Sequence, residues 1–137
     1  MMLLKGRTVV SGKAQGVALV STKPISFLGG VDPETGEIIE KDHDLLGKSI
    51  KDVILCFPNG HGSTVGSYVL YSLAKRGLAP KAILNKVADP VVVVGAIIAN
   101  IPMLDQIAIE KISCGCKVEV IAEGEIGLVR ILRNKEG

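Results

Sequence analysis

Two continuous apolar runs constrain this chain more than any other feature. "DVILCFP" (residues 52–58) runs apolar without alternation, and "KAILNKV" (residues 81–87), apolar over Ala82, Ile83 and Leu84, reads as the next buried strand. Strands buried on both faces read this way, and they belong to parallel sheets covered by helices. The residues between them carry a helical stripe. In "STVGSYVLYSLAKRGL", Val65, Val69 and Leu73 recur every four residues with Leu70 beside them. Lys75 and Arg76 near its end, with Gly77 after them, form an ordinary helix stop. After the second run, Asp89 and Pro90 read as an N-cap and a proline at the first helical position, opening "PVVVVGAIIAN". This helix starts with β-branched residues, so packing rather than propensity must hold it. Strand–helix–strand in this order implies parallel neighbours joined by a right-handed crossover.

The flanks read as strands. "RTVVSGKAQGVALVST" predicts short strands over residues 8–10 and 17–20, with "SGKAQG" as the bend between them. "IPMLD" fits a short strand or a loop, and "KVEVIA" and "IGLVRIL" fit two strands across the bend "EGEI". The long segment "PISFLGGVDPETGEIIEKDHDLLGKSI" is rich in turn signals, with "EII" as a short strand. Its defined turn chemistry and scarcity of flexible residues predict an ordered excursion. Asp32 reads there as a turn former, and His43, lying among acids, as solvated. No repeat or hinge linker interrupts the chain. The expectation is one α/β domain over residues 1–137, a barrel-like β layer meeting a small parallel β-α-β-α layer. Ligands in such folds sit beyond the carboxyl ends of the parallel strands, which points to the stretch at residues 58–70.

Composition narrows the function. Hydrophobic residues make up 47% of 137, a globular balance, yet only Phe27, Phe57, Tyr68 and Tyr71 are aromatic and there is no Trp. The core must be aliphatic. A net charge of +2 with scattered cations offers no phosphate-tracking stripe, and few aromatics offer no base-stacking surface, so nucleic acid is not expected as a partner. The cations of "RILRNKEG" read as a solvated tail. Cys114 and Cys116 form CxC, tighter than the CxxC of a metal knuckle, and Cys56 lies inside an apolar strand. No local motif assembles four ligands, so no metal site is expected in this chain. Three thiols without a pairing pattern fit a cytoplasmic protein. "MMLLKG" is too short for a signal-peptide core, and "VVVVGAIIANI" is about half a membrane span.

The turn "PNGHGSTVGSYVL" (residues 58–70) carries the functional question, and two readings fit it. In one, Gly60 and Gly62 turn the chain and Ser63 caps the helix. In the other, the helix start presents Ser63 to a substrate, where free N–H groups favour an anion. The stretch is neither a phosphate-binding GK[ST] loop nor a G-x-S-x-G nucleophile elbow. His61 is either an acid–base group or a surface turn residue, and no adjacent carboxylate orients it. Asp89 reads as a cap only. The residues alone leave these alternatives open.

Three stretches together carry a resemblance: "SGKAQGVALVS", "ISFLGGVDPETGEII" and "PNGHGSTVGSYVL", in this order, with "AILN" and "GAIIANIPM" downstream. The chain resembles the small subunit of the aconitase X group, over nearly its whole length. The resemblance implies the swivelling β/β/α domain of aconitase-type dehydratases. It implies a larger partner subunit that holds an iron–sulfur cluster, with none bound by this chain alone. It implies a hydro-lyase acting on a small phosphorylated hydroxy acid. In archaeal stand-alone relatives this is (R)-5-phosphomevalonate, dehydrated to trans-anhydromevalonate 5-phosphate on the route to isoprenoids.

By motif match the resemblance makes Ser63 the proton acceptor, with Gly62, Thr64 and His61 around the substrate. Relatives often carry arginine at position 61, and a neutral imidazole supplies less fixed positive charge than guanidinium. The resemblance gives no role to the loop of Gly29, Gly30, Val31 and Asp32. Two other functions remain open: a related dehydratase acting on cis-3-hydroxy-L-proline, and a non-catalytic binding module in which Ser63 is only a cap.

Overall fold

Seven strands close into a barrel in the computed structural model, which describes residues 2–133. They are β1 (Met2–Val10), β2 (Gly12–Val20), β3 (Ile54–Phe57), β4 (Ala82–Asn85), β5 (Met103–Asp105), β6 (Lys117–Ala122) and β7 (Ile126–Arg133). Around the barrel the order is β1-β5-β4-β3-β2-β6-β7, and β7 pairs back onto β1. The pairs β2–β3, β3–β4 and β4–β5 are parallel, and the remaining pairs are antiparallel.

The two expected layers share strands. Ile54, Cys56, Ala82 and Leu84 pack with Leu104, Val118, Val120 and Val129 in one aliphatic core. The alternate residues Leu55, Phe57, Ile83 and Met103 belong to a second core, covered by Leu70, Leu73, Val92 and Ala96. Strand alternation therefore puts β3 and β4 between two apolar environments, which is why their sequences do not alternate. Leu70 and Leu73 come from α2 (Gly66–Lys75), and Val92 and Ala96 from α3 (Pro90–Ala99). The two helices touch where α3 is smallest: a Cβ at Gly95 would press on Leu70 and Ser67. Ser67 Oγ donates to the Val91 carbonyl at 2.6 Å, adding a polar tie.

The excursion is ordered, as its turn chemistry predicts. After the short, irregular α1 (Phe27–Gly30), Val31, Ile38, Leu45 and Ile50 are buried in the second core. Bridges between Val31 and Ile38 and between Glu37 and Ser49 brace it. The carboxylate of Asp32 accepts from Glu34 N, the expected turn.

Three expectations need correction. "SGKAQG" is not a bend, because residues 12–16 run inside β2 in register with β6. His43 is not solvated: it is 5% exposed, its Nδ1 accepts from Leu45 N at 3.0 Å, and its Nε2 bonds the Pro24 carbonyl at 3.1 Å. Asp89 is more than a cap, as the site shows. The end of the "RILRNKEG" tail lies outside the described residues.

Candidate active site

The carboxyl ends of β2, β3 and β4 release three loops that knit together. Ile25 N donates to the Asn59 carbonyl and His61 N donates to the Ile25 carbonyl, both at 3.2 Å, so residues 59–61 run beside Ile25 as a short parallel bridge. Lys86 N reaches the Pro58 carbonyl at 3.0 Å. On the far side, Gly60 N donates to Asp89 Oδ1 at 2.9 Å, while Asp89 Oδ2 accepts from Val91 N at 3.1 Å and caps α3.

Glycine is required at two points of this turn. A Cβ at Gly60 would run into Asp89 and Val92. Gly62 has φ +95°, and a Cβ there would overlap Ser26 Oγ. The start of α2 is equally close to the α1 segment, since a Cβ at Gly66 would touch Phe27 and the Leu28 backbone. Ser26, Phe27 and Leu28 thus border the serine turn.

Ser63 lies three residues before the regular helix. Its carbonyl accepts from Gly66 N at 2.9 Å, and its Oγ accepts from Val65 N at 3.1 Å. It therefore caps a tight turn that leads into α2 rather than α2 itself. The same contact places a donor on Oγ, and a hydrogen bond of this kind favours the charged form of an acceptor. Ser63, Gly62, Thr64 and His61 are all exposed. Among the described residues, the backbone N–H groups of Gly62, Ser63 and Thr64 make no hydrogen bond, and the His61 side chain makes none either. The structure brings Gly62, Ser63 and Thr64 into one turn with open donors. It leaves His61 pointing at no partner. Leu28, Val65 and Tyr68, exposed by 43%, 49% and 68%, rim the turn with apolar surface.

A family model of the aconitase X swivel domain matches residues 3–129. The chain belongs to this family. It is 55% identical over 128 residues to the phosphomevalonate dehydratase small subunit of Thermococcus sibiricus, covering 93% of this chain and 98% of that one. The protein of the same name from Methanocaldococcus jannaschii is 53% identical over 131 residues, covering 96% and 98%. A crystal structure of Thermococcus kodakaraensis aconitase X in its holo form superposes with TM-score 0.93 at 51% identity, covering 97% of this chain and all of that one. The small subunit's name implies a larger partner for those relatives. The family and the fold expected from the three sequence stretches are therefore borne out.

The cysteines do not suit an iron–sulfur cluster. Cys56 and Cys116 are buried in the barrel core while Cys114 is exposed. Burial, with the neighbouring Cys116 and Cys114, pushes the Cys56 thiol far above its usual range, and burial also raises Cys116. A cluster ligand must be a thiolate. Among the described residues, no three His, Cys, Asp or Glu side chains gather as a metal group, and no helix is long and apolar enough to cross a membrane.

Sequence reasoning missed the second oxygen of Asp89. The spacing to Val91 marks the cap, but nothing in the sequence marks a contact with Gly60, which lies 29 residues away.

Proposed function

We propose that this chain is the small subunit of a two-chain hydro-lyase that dehydrates (R)-5-phosphomevalonate to trans-anhydromevalonate 5-phosphate, with Ser63 as proton acceptor. The observation that carries the reading is the serine turn. Ser63 Oγ stands exposed beyond the end of β3 with Val65 N–H on it, in a chain more than half identical to relatives of that name.

Dehydration takes a proton from one carbon and a hydroxyl from its neighbour, leaving a double bond between them. The proton needs a base. Ser63 serves as an alkoxide, held by the Val65 donor in a water-excluded site. The open N–H groups of Gly62 and Thr64 suit an oxygen of the anionic substrate. His61 flanks them as a substrate contact.

Among the described residues no side chain of this chain bonds Ser63 Oγ, whose partner is the Val65 backbone N–H, so nothing here removes its proton. The larger subunit supplies that help, covers the apolar rim of Leu28, Val65 and Tyr68, and excludes water. The iron–sulfur cluster belongs to that subunit too, where it would supply the Lewis acid that the departing hydroxyl needs. Residues 1–137 act as one swivelling domain, in the cytoplasm.

The test is Ser63→Ala in the complex reconstituted anaerobically with the larger subunit. Turnover of phosphomevalonate is expected to vanish while the complex still forms. Retention of most of the activity would falsify the role of Ser63, and turnover of cis-3-hydroxy-L-proline instead would correct the substrate.

A further inference from the structure

We propose that Asp89 is a positioning residue for Ser63, its carboxylate tying the serine turn to the start of α3. This rests on the reading of Ser63 as proton acceptor.

An N-cap needs one acceptor, and serine, threonine or asparagine serves as well as aspartate. Asp89 uses two. Oδ2 caps Val91 at 3.1 Å, and Oδ1 takes the Gly60 N–H at 2.9 Å. The second bond joins two segments that are otherwise unrelated in sequence. Gly60 is pinned from the other side as well, because its neighbours Asn59 and His61 are both bonded to Ile25. The absence of a side chain at Gly60 is what lets the carboxylate approach, since a Cβ would collide with Asp89 Oδ1.

Asp89 is itself braced. The preceding N–H, of Ala88, donates to Asp105 Oδ2 at 3.1 Å. Asp105 is held by Arg7 through two bonds, Nε to Oδ1 at 2.9 Å and a terminal nitrogen to Oδ2 at 2.8 Å. The chain of contacts runs Arg7, Asp105, Ala88, Asp89, Gly60. Ser63 follows three residues later on a turn otherwise open to solvent. A base on such a turn keeps its place only if the turn's root is fixed, and a misplacement of about 1 Å can cost about 100-fold in rate.

Asn and Ser at position 89 separate the cap from the tether. Asparagine has one acceptor oxygen, so capping Val91 turns its NH2 toward Gly60. Serine caps but is too short to bridge. The experiment follows amide hydrogen exchange at Gly60 in the full chain, wild type against Asp89→Asn and Asp89→Ser. Kinetics of each variant are measured in the reconstituted complex with phosphomevalonate. Thermal midpoints should stay within a few degrees. Exchange at Gly60 should accelerate about tenfold or more. The kcat should fall about 10- to 100-fold with KM changed by less than about threefold. An unprotected Gly60 amide in the wild type overturns the tether whatever the variants do. Unchanged kcat with Gly60 freed overturns the positioning role. Activity that survives Ser63→Ala is a different failure: it removes the reading of Ser63 and leaves the Gly60 exchange result standing.

Discussion

Val65 donates its backbone N–H to Ser63 Oγ at 3.1 Å, so one contact serves both the turn and the atom that accepts the proton. The two roles separate in Ser63→Ala. Losing the cap costs about 1 kcal/mol, a few degrees of melting temperature. Losing the base costs about 10²–10⁴-fold in turnover. Melting curves on the free chain and kcat on the complex read the two independently. A lowered melting temperature with full turnover would leave Ser63 as a cap.

Gly62 and Gly29 make a matched pair. Both have positive φ, +95° and +85°, but only Gly62 is crowded, with Ser26 Oγ where a Cβ would go. At Gly29 there is nothing within 4 Å. Gly29→Ala should cost about 1 kcal/mol, the backbone penalty alone, and leave turnover intact. Gly62→Ala must also push Ser26 off the Leu28 carbonyl it bonds at 2.9 Å. It should cost about 2 kcal/mol and lower kcat at least about tenfold. Equal effects of the two variants on stability and rate would contradict the role given to the Ser26 contact.

Arg7 and Asp105 form an asymmetric ion pair, 57% exposed on the arginine side and 2% on the aspartate side. Removing Arg7 strands a buried carboxylate. Removing Asp105 leaves a cation that water already reaches. Arg7→Ala should therefore cost more than Asp105→Ala, whose loss is mainly the Ala88 hydrogen bond. Urea titrations of both variants give the order, and the reverse order would show that burial does not set the cost.

Asp44 ties the excursion to the end of β2. Its Oδ1 accepts from Ser21 Oγ at 2.6 Å and its Oδ2 from Thr22 N at 2.8 Å. Burial raises its pKa, but these hydrogen bonds outweigh burial and the net shift is downward. A carboxyl lowered on folding stabilises the protein above its unfolded value of about 3.9 and loses that contribution as pH falls through the folded value. Asp44→Asn should cost about 1 kcal/mol at pH 7, modest because the side chain is 32% exposed. The gap between wild type and variant should narrow below about pH 4. Melting temperatures at pH 7 and pH 3 check this, and a constant gap would rule out the carboxylate as its source.

The central strands were legible because burial on both sides writes itself into the residues: Ile54 to Phe57 and Ala82 to Asn85 are buried at every position. The α3 start was legible because Asp89 and Pro90 are local signals. The first half of β2 was not. Gly12, Lys13, Ala14, Gln15 and Gly16 have turn or mixed propensity, and pairing with β6 makes them a strand. His43 failed likewise, since its flanking acids suggest solvent while Pro24 and Leu45 provide its bonds. At the site, the glycine–serine turn could be read as a motif. Its tether to Asp89 is a long-range contact that no local pattern encodes.

The rim of the serine turn gives the last prediction. Leu28 lies where α1 meets the start of α2, and Val65 and Tyr68 sit three residues apart on one side of the turn and helix. All three are exposed, and Tyr68 is 68% exposed. Large apolar side chains around a polar turn are what a partner surface would cover. If the larger subunit closes over Ser63, a charge placed here must be desolvated without a partner. Tyr68→Asp should then weaken the complex about tenfold or more while leaving the melting temperature of the free chain within a degree or two. Lys13→Asp, on a solvated face beside Glu123, is the control and should leave affinity within about twofold. Titration calorimetry with the larger subunit measures both. Equal affinity for Tyr68→Asp and wild type would place the partner on another face, and would leave the serine turn open to water and unfit to hold an alkoxide.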